Sequence, residues 1–228
     1  MVNGEKKIMA VIPARGGSKR IPKKNIIDFD GKPMIAWTII AALKSKVFSD
    51  VYVSTDDEEI KKIAIDNGAH VPFLRDKNYD DHSTVSDVIF DFLEKINKNS
   101  NKIIGMLMPN CPLRDSNDII NSVDFFIKNN NNFQLSCSDF GWTNPWWAHI
   151  IDKNGKVSKA FDSYDNSVRS QDLPKLYSIS GAIWIAKIDE FMKEKTFYGP
   201  NYQLKKISWK NAIDIDEYED LELAKKLK

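Results

Sequence analysis

The feature that most constrains the fold is a regular alternation of short apolar runs with longer amphipathic stretches. The run IMAVIP at 8–13 is short and continuously apolar, which predicts a strand buried on both faces of a parallel sheet. A helical stretch begins at Pro33 and ends in lysines, and a second apolar run follows at 51–54. Together these elements predict a βαβ unit with a right-handed crossover.

The same alternation continues through most of the chain. We expect further strands at 70–73, 103–108, 133–138, 181–186 and 204–208. We expect further helices ending near Asn67, at 84–96, at 117–128, near Asp189 and at 217–227, the first of them capped by Thr55, Asp56 or Asp57. The pattern indicates an α/β fold with a doubly wound sheet, in which ligands bind beyond the carboxyl ends of the strands.

Between residues 139 and 177 the alternation stops, and turn-rich segments that include Trp146 and Trp147 replace it. A connection this long inside a compact domain is usually functional or pairs with another chain. We therefore expect an arm at 139–177 with hairpins that reach a second subunit. The two tryptophans have two interpretations: packing in a dimer interface, which aromatic residues favour, or stacking on a substrate.

Composition excludes several classes of protein. The 33 Lys and Arg residues against 32 Asp and Glu give a formal net charge of +1, which argues against a protein that coats nucleic acid. No apolar run reaches the roughly 18 to 20 residues that span a bilayer, and no cleavage-like site precedes Arg15, so we expect a soluble protein with no signal peptide and no membrane partner. Cys111 and Cys137 lack metal-site spacing, which predicts reduced, buried thiols and a cytoplasmic location.

A basic, glycine-containing loop follows the first predicted strand. The segment ARGGSKRIPKKN at 14–25 holds five basic residues, two glycines and no acid. Glycines let the backbone approach oxyanions closely, while Arg and Lys neutralise their charge. The loop matches neither the P-loop nor the dinucleotide-binding pattern, so the usual NTPases and dehydrogenases lose support. It predicts a phosphate site, with a solvated surface loop as the alternative.

Two aspartates stand near the other end of the chain, Asp214 and Asp216 in the segment AIDIDEYED. In an extended backbone this spacing places both carboxylates on one face, where they can hold Mg²⁺. Capping of the last helix is the alternative. A triphosphate-binding loop combined with metal carboxylates indicates nucleotidyl transfer, in which catalysis rests on positioning and electrostatics.

Six segments carry a family resemblance in chain order: IPARGGSKRIPKKN, VYVSTDDEEI, MLMPNCPLR, RSQDLP, GAIWI and AIDIDEYEDLELA. They resemble the acylneuraminate cytidylyltransferases, which include the CMP-sialic acid synthetases and their legionaminic and pseudaminic acid relatives. The resemblance implies a single domain over 1–228 with a mostly parallel sheet of nucleotidyltransferase (Rossmann-like) type. It also implies a homodimer formed by an inserted arm, dependence on Mg²⁺, and transfer of CMP from CTP to the anomeric hydroxyl of a nine-carbon acidic sugar with release of pyrophosphate.

The resemblance further implies roles for single residues. Catalytic roles fall on Arg15, Lys24, Asp214 and Asp216, the last two as metal ligands. Nucleotide binding falls on Arg15, Gly16, Gly17, Ser18, Lys19, Lys24, Asn25, Arg75 and Ser86. Sugar binding falls on Met108, Arg169, Gln171 and Ser180, with the two arm residues often reaching the site of the partner subunit.

Two positions depart from the family pattern. Met108 stands where many sialic acid enzymes have glutamine, and Ser180 stands where they have asparagine. Losing two polar contacts leaves groups of the sugar unpaired, which is costly in a buried site. We therefore expect a deoxygenated, more apolar acid such as legionaminic or pseudaminic acid rather than N-acetylneuraminic acid. The alternatives are a nucleotidyltransferase with another nucleotide or acceptor, and a non-catalytic sugar-nucleotide-binding protein of the same fold.

Overall fold

A six-stranded mixed sheet forms the centre of the molecule, in a computed structural model that describes residues 8–77, 83–96, 102–141, 143–161 and 168–228. The strands in chain order are β1 (Ile8–Pro13), β2 (Asp28–Phe29), β3 (Lys32–Pro33), β4 (Asp50–Ser54), β5 (Ile103–Met106), β6 (Phe133–Asp139), β7 (His149–Ile151), β8 (Val157–Lys159), β9 (Tyr177–Lys187) and β10 (Gln203–Lys206). The helices are α1 (Met34–Ser45), α2 (Glu58–Asp66), α3 (Val85–Ile96), α4 (Ser116–Lys128), α5 (Ile188–Glu194) and α6 (Tyr218–Leu227).

The central sheet has the order β10-β6-β9-β5-β1-β4. The pairs β1–β4, β1–β5 and β6–β10 are parallel, whereas β9 runs antiparallel to both of its neighbours. The remaining strands form two separate hairpins, β2–β3 and β7–β8. The predicted α/β fold with a mostly parallel sheet is confirmed.

Apolar residues on both faces of the sheet explain why β1 is buried along its whole length. Ala10 and Ile12 pack in one cluster with residues of α1, α2 and α4, while Met9 and Val11 pack in a second cluster with residues of α3 and α5. Successive side chains of a strand point to opposite faces, so a strand covered by helices on both sides must be apolar throughout.

The ends of the helices follow local hydrogen-bonding chemistry. Of the three cap candidates for α2, Asp57 is the residue that caps it, because its Oδ1 accepts from the backbone N–H groups of Glu59 and Ile60 at 2.8 and 2.9 Å. At α6 the N-cap is Glu217. The alternative that Asp214 or Asp216 caps this helix is therefore wrong.

The predicted strand at 70–73 is also wrong. This segment makes only two single bridges, Tyr52 to His70 and Thr55 to Leu74, at the edge of the sheet beyond β4. The other predicted strands and helices are confirmed with small shifts of their ends. The largest shift is at β9, which begins at Tyr177 rather than 181 because it also pairs with the second half of β6.

The arm contains a hairpin, as predicted. Strands β7 and β8 pair antiparallel, and a helical turn at Pro145–Trp147 precedes them. Trp146 donates its indole N–H to the carbonyl oxygen of Pro174 at 2.9 Å and packs edge-to-face on Phe161. Residues 142 and 162–167 of the arm lie outside the described residues.

Two expectations from composition can be compared with the described residues. Cys111 and Cys137 are both free and buried, as predicted. None of the helices in the described ranges is long and apolar enough to span a membrane.

Candidate active site

A cleft of about 300 Å³ opens where β1 and β5 end. Strand β1 lies between β4 and β5, and all three strands run parallel. Their carboxyl ends therefore lie at the same edge of the sheet, where the chain leaves the sheet on both sides of β1. A crevice at such a switch point is the usual ligand site of open α/β sheets. The lining residues are Pro13, Arg15, Ser18, Lys19, Arg20, Ile21, Lys24, Asn25, Arg75, Ser83, Val85, Val88, Met108, Pro109, Asn110, Asp214 and Asp216.

The basic loop after β1 forms one wall of the cleft and is held by its own hydrogen bonds. The amide of Asn25 donates to the carbonyl oxygen of Arg15 at 2.9 Å, and the backbone N–H of Gly16 donates to Oδ1 of Asp56 at 3.1 Å. A Cβ at Gly16 would lie 2.6 Å from Oδ2 of Asp57, so close packing on the start of α2 requires glycine. Gly16 shapes this loop by that contact, and neither Gly16 nor Gly17 is among the residues that line the cleft.

The two ends of the chain meet across the cleft. Lys24 Nζ donates to Oδ1 of Asp216 at 2.7 Å and to the carbonyl oxygen of Ile215 at 2.9 Å. Arg20 reaches the other oxygen of the same carboxylate at 2.7 Å. The side-chain amide of Asn110 donates to Asp214 Oδ1 and, at 3.1 Å, to the carbonyl oxygen of Ile215. The basic loop and the aspartate pair therefore belong to a single site.

The two aspartates lie in different electrostatic environments. Burial among protein atoms raises the pKa of Asp214 to about 6, and the neighbouring charge of Asp216 adds to this effect. Asp214 nevertheless keeps solvent contact through the cleft. Burial also acts to raise the pKa of Asp216, but the hydrogen bonds from Lys24 and Arg20 outweigh it, so its pKa is lowered. The pair thus joins one firmly ionised carboxylate to one that resists ionisation.

These residues suit a divalent cation that prefers oxygen ligands. Burial is the main cause of the raised pKa of Asp214, and a cation between the carboxylates would offset the repulsion from Asp216 that adds to it. In the described part of the chain, Oδ1 of Asn110 is buried without a hydrogen-bond partner, while Nδ2 of the same amide faces the two aspartates. The described residues offer no group of three or more acidic, His or Cys ligands. Two carboxylates, completed by water and substrate phosphates, are enough protein ligands for a small divalent cation.

The cleft also has an apolar part, lined by Met108, Val85 and Val88. Met108 follows β5, and its backbone N–H donates to the carbonyl oxygen of Gly181 at 3.2 Å. An ideal Cβ at Gly181 would lie 2.6 Å from Cγ of Met108, so the methionine rests directly on the glycine backbone. The side chain of Met108 therefore occupies its position only because residue 181 has no Cβ.

A buried arginine supports the segment that carries Met108 and Asn110. Arg114 donates to the carbonyl oxygen of Ala182 at 2.7 Å and to the hydroxyl of Thr38 at 2.6 Å. Thr38 donates in turn to the carbonyl oxygen of Met108 at 3.3 Å. Complete burial lowers the pKa of Arg114 to about 10, which leaves it charged at neutral pH. Arg114 thus fixes the loop after β5 against β9 and α1.

The structure places most residues named from the sequence in the cleft, but not all. Ser86 is buried in α3 outside the cleft lining, whereas Ser83 lines it. The hydroxyl of Ser180 is buried and donates to the carbonyl oxygen of Ala212 at 2.9 Å. Arg169 and Gln171 are exposed on the arm, away from this cleft. A contact with the sugar by Ser180, Arg169 or Gln171 stays a prediction.

Sequence reasoning did not assign three polar lining residues, Arg20, Ser83 and Asn110. Arg20 and Asn110 carried a usable signal. Arg20 belongs to the basic loop, and Asn110 follows a parallel strand at the edge where ligands bind. Ser83 carried no such signal, because its place depends on how the chain enters α3.

A doubly wound α/β sheet that brings a basic loop and paired carboxylates to its switch point defines the class of nucleotidyltransferases. Comparison with known proteins narrows this class. Residues 9–228 match the family profile described as cytidylyltransferase, and the chain belongs to this family of CTP-dependent nucleotidyltransferases. The family and the enzyme class predicted from the sequence are confirmed.

Three similar proteins illustrate the match. The chain is 37% identical to a pseudaminic acid cytidylyltransferase of Campylobacter jejuni over 96% of this chain and 95% of the relative. It is 35% identical to a CMP-N,N'-diacetyllegionaminic acid synthase of Legionella pneumophila over 97% and 96%. A solved CMP:2-keto-3-deoxy-manno-octonic acid synthetase complexed with CTP has the same fold, with a TM-score of 0.72 at 18% identity over 97% of this chain and 98% of that chain.

Proposed function

We propose that the protein transfers CMP from CTP to the anomeric hydroxyl of a nonulosonic acid, a nine-carbon acidic sugar, and releases pyrophosphate. The observation that carries the proposal is the meeting of Lys24 and Asp216 in one cleft at the switch point of the sheet. Two relatives with matching length are named for pseudaminic and legionaminic acid, which supports an acceptor of this class. The same comparisons make a non-catalytic protein the weaker alternative.

In the proposed reaction, the anomeric oxygen of the sugar attacks the α-phosphorus of CTP. The bond from this phosphorus to the pyrophosphate oxygen breaks, and the proton of the hydroxyl passes to water. Lys24 and Arg15 stabilise the charge of the departing pyrophosphate, while Asn25 and Arg75 hold the nucleoside part. Asp214 and Asp216 would hold Mg²⁺, which would offset phosphate charge and lower the pKa of the attacking hydroxyl.

Met108 is the residue on which the choice of acceptor rests. Its side chain and the valines of α3 form an apolar wall without a hydrogen-bonding group. A deoxygenated sugar loses no hydrogen bond against such a wall, whereas a hydroxyl or amide placed there remains unpaired. We therefore propose legionaminic or pseudaminic acid as the acceptor.

Pyrophosphate release with CTP and a panel of acidic sugars tests the proposal. We expect kcat/KM to be higher for pseudaminic or legionaminic acid than for N-acetylneuraminic acid, and the variant Met108→Gln to reduce that preference. A clear preference of the wild type for N-acetylneuraminic acid would contradict the assignment of the acceptor. Parallel reactions with UTP, ATP and GTP test the nucleotide, and absence of turnover with every sugar would favour the non-catalytic alternative.

We also propose a homodimer formed through the arm at 139–177. The hairpin exposes Ile150, Ile151 and Val157, with 71% of Ile151 accessible. An isolated two-stranded hairpin is marginally stable in water, so these apolar residues need a covering surface. A partner subunit would supply it, and Arg169 of the same arm could then reach the partner's cleft. The buried free thiols support a location in the reducing cytoplasm.

The mass of the protein in solution tests the dimer. We expect light scattering to show a dimer for the wild type and a monomer for Ile151→Asp, because a charge would be buried in the interface. Lys153→Asp in the turn of the same hairpin is the matched control and should remain dimeric.

Trp147→Ala separates the two interpretations of the tryptophans: a monomer indicates interface packing, while a dimer with altered KM values indicates substrate contact.

A further inference from the structure

Asp56 lies where β4 passes into α2, directly before the helix cap Asp57. Its Oδ1 accepts hydrogen bonds from two groups at the border of the cleft. One donor is the backbone N–H of Gly16 in the basic loop, at 3.1 Å, and the other is Nη2 of Arg75, at 3.4 Å. A single carboxylate oxygen therefore connects the loop after β1 with an arginine that lines the cleft.

The two neighbouring aspartates have separate tasks. Asp57 caps α2 through two backbone N–H groups, and its own backbone N–H donates to the hydroxyl of Thr55 at 3.1 Å. In the described structure, the hydrogen bonds to the side chain of Asp56 come from the loop and from Arg75. The start of the helix is therefore secured without Asp56.

Arg75 needs a counter-charge because its side chain is only 2% exposed. Burial lowers the pKa of Arg75, and the charge and hydrogen bond of Asp56 oppose this effect most strongly. Nearby Arg15 acts in the same direction as burial, and Asp91 assists Asp56 more weakly. Because an unpaired buried charge is costly, the guanidinium is held toward Asp56.

The backbone around Arg75 is held by contacts with other residues, whereas the side chain of Arg75 is held by Asp56. The backbone N–H of Arg75 donates to the carbonyl oxygen of Thr55 at 2.7 Å. The next two residues are tied to α3 by ion pairs, Asp76 with Lys95 at 2.5 Å and Lys77 with Asp91 at 2.8 Å. In the described part of the chain, Nε of Arg75 is buried without a hydrogen-bond partner.

We infer that Asp56 is a positioning residue for the nucleotide: it sets the orientation of Arg75 and holds the basic loop in register with it. The inference rests on the proposed function, in which both groups bind CTP. The loop and the guanidinium then act as one preorganised surface, because a shift of either weakens the hydrogen bond of the other. Loss of the Asp56 charge lowers affinity for CTP without removing any group that contacts the reacting phosphorus.

Calorimetric titration with CTP and steady-state kinetics test this inference with Asp56→Asn. The variant keeps the shape of the side chain but loses the charge. We expect the dissociation constant and KM for CTP to rise about tenfold, as for the loss of one hydrogen bond to a charged group, with kcat within about twofold of the wild type. Asp57→Asn makes the same chemical change one residue later and should bind CTP normally, because Asn caps a helix about as well as Asp.

A double-mutant cycle with Arg75→Met separates positioning from general destabilisation. If Asp56 acts through Arg75, Asp56→Asn should weaken CTP binding much less in the Arg75→Met background than in the wild type. Equal losses in both backgrounds, or normal CTP binding by Asp56→Asn, would overturn the inference. If Asp56→Asn does not fold, Asp56→Glu keeps the charge and displaces it by one methylene, and unchanged CTP affinity would overturn the inference. A wild type that does not bind CTP would instead contradict the proposed function.

Discussion

The contact of Gly181 with Met108 predicts a specific cost for the variant Gly181→Ala. An added Cβ would lie 2.6 Å from Cγ of Met108 and 3.7 Å from Oδ2 of Asp214. The backbone N–H of Met108 donates to the carbonyl oxygen of Gly181, so the two segments cannot move apart without weakening this hydrogen bond. The side chain of Met108 must therefore move instead, toward the cleft.

The size of the effect follows from the distances. Carbon atoms pack favourably at about 3.5 to 4.0 Å, so Cγ of Met108 must move by about 1 Å. Overpacking of this kind costs typically about 1 to 3 kcal/mol. Replacing glycine by alanine in a strand returns about 0.5 to 1 kcal/mol. We expect the free energy of unfolding to fall by about 1 to 2 kcal/mol.

Denaturant unfolding and steady-state kinetics measure this prediction. We expect KM for the sugar to rise more than KM for CTP, because Met108 is displaced into the part of the cleft assigned to the acceptor. Gly17→Ala is the stability control: an ideal Cβ there meets nothing within 4 Å, so unfolding should be nearly unchanged. In a Met108→Ala background the cost of Gly181→Ala should disappear. An equal cost in both backgrounds would refute the reasoning.

Three further predictions concern charged residues of the site. Asp216→Asn should abolish turnover at ordinary Mg²⁺ concentrations while circular dichroism shows an intact fold, and near-normal activity would remove this residue from the metal site. Because the pKa of Asp214 is raised, the folded protein binds a proton at this residue more tightly than the unfolded chain does. Without divalent cation, the free energy of unfolding of the wild type should therefore fall relative to that of Asp214→Asn as pH rises from about 4 to 6. Affinity for Mn²⁺, measured by titration, should show the opposite trend and fall below about pH 6, because the cation needs the ionised carboxylate; a flat profile would contradict this assignment. Arg114→Met should lower the free energy of unfolding by about 1 to 3 kcal/mol, because two buried acceptors lose their donor while the desolvation of the guanidinium is relieved; unchanged denaturant unfolding would show that the buried arginine is dispensable.

Much of the fold could be predicted from local patterns. Strand β1 was recognisable because burial on both faces demands a continuous apolar run, and α2 because an aspartate able to cap it precedes it. The strand predicted at 70–73 from its local pattern is wrong. Its apolar residues resemble a short strand, but whether they pair depends on the neighbouring edge of the sheet, which local composition does not describe.

The sequence by itself determined which chemical groups the site contains: a basic loop after β1 and a pair of aspartates near the carboxyl end. Only the tertiary structure decided that they meet, because Lys24 and Asp216 lie 192 residues apart in the chain and the order of the strands in the sheet brings them together. It also turned the hydroxyl of Ser180 into the interior and placed Asp56 between Gly16 and Arg75. The physical reason is that side-chain type is a local property, whereas direction and partner follow from the register of strands far apart in the chain.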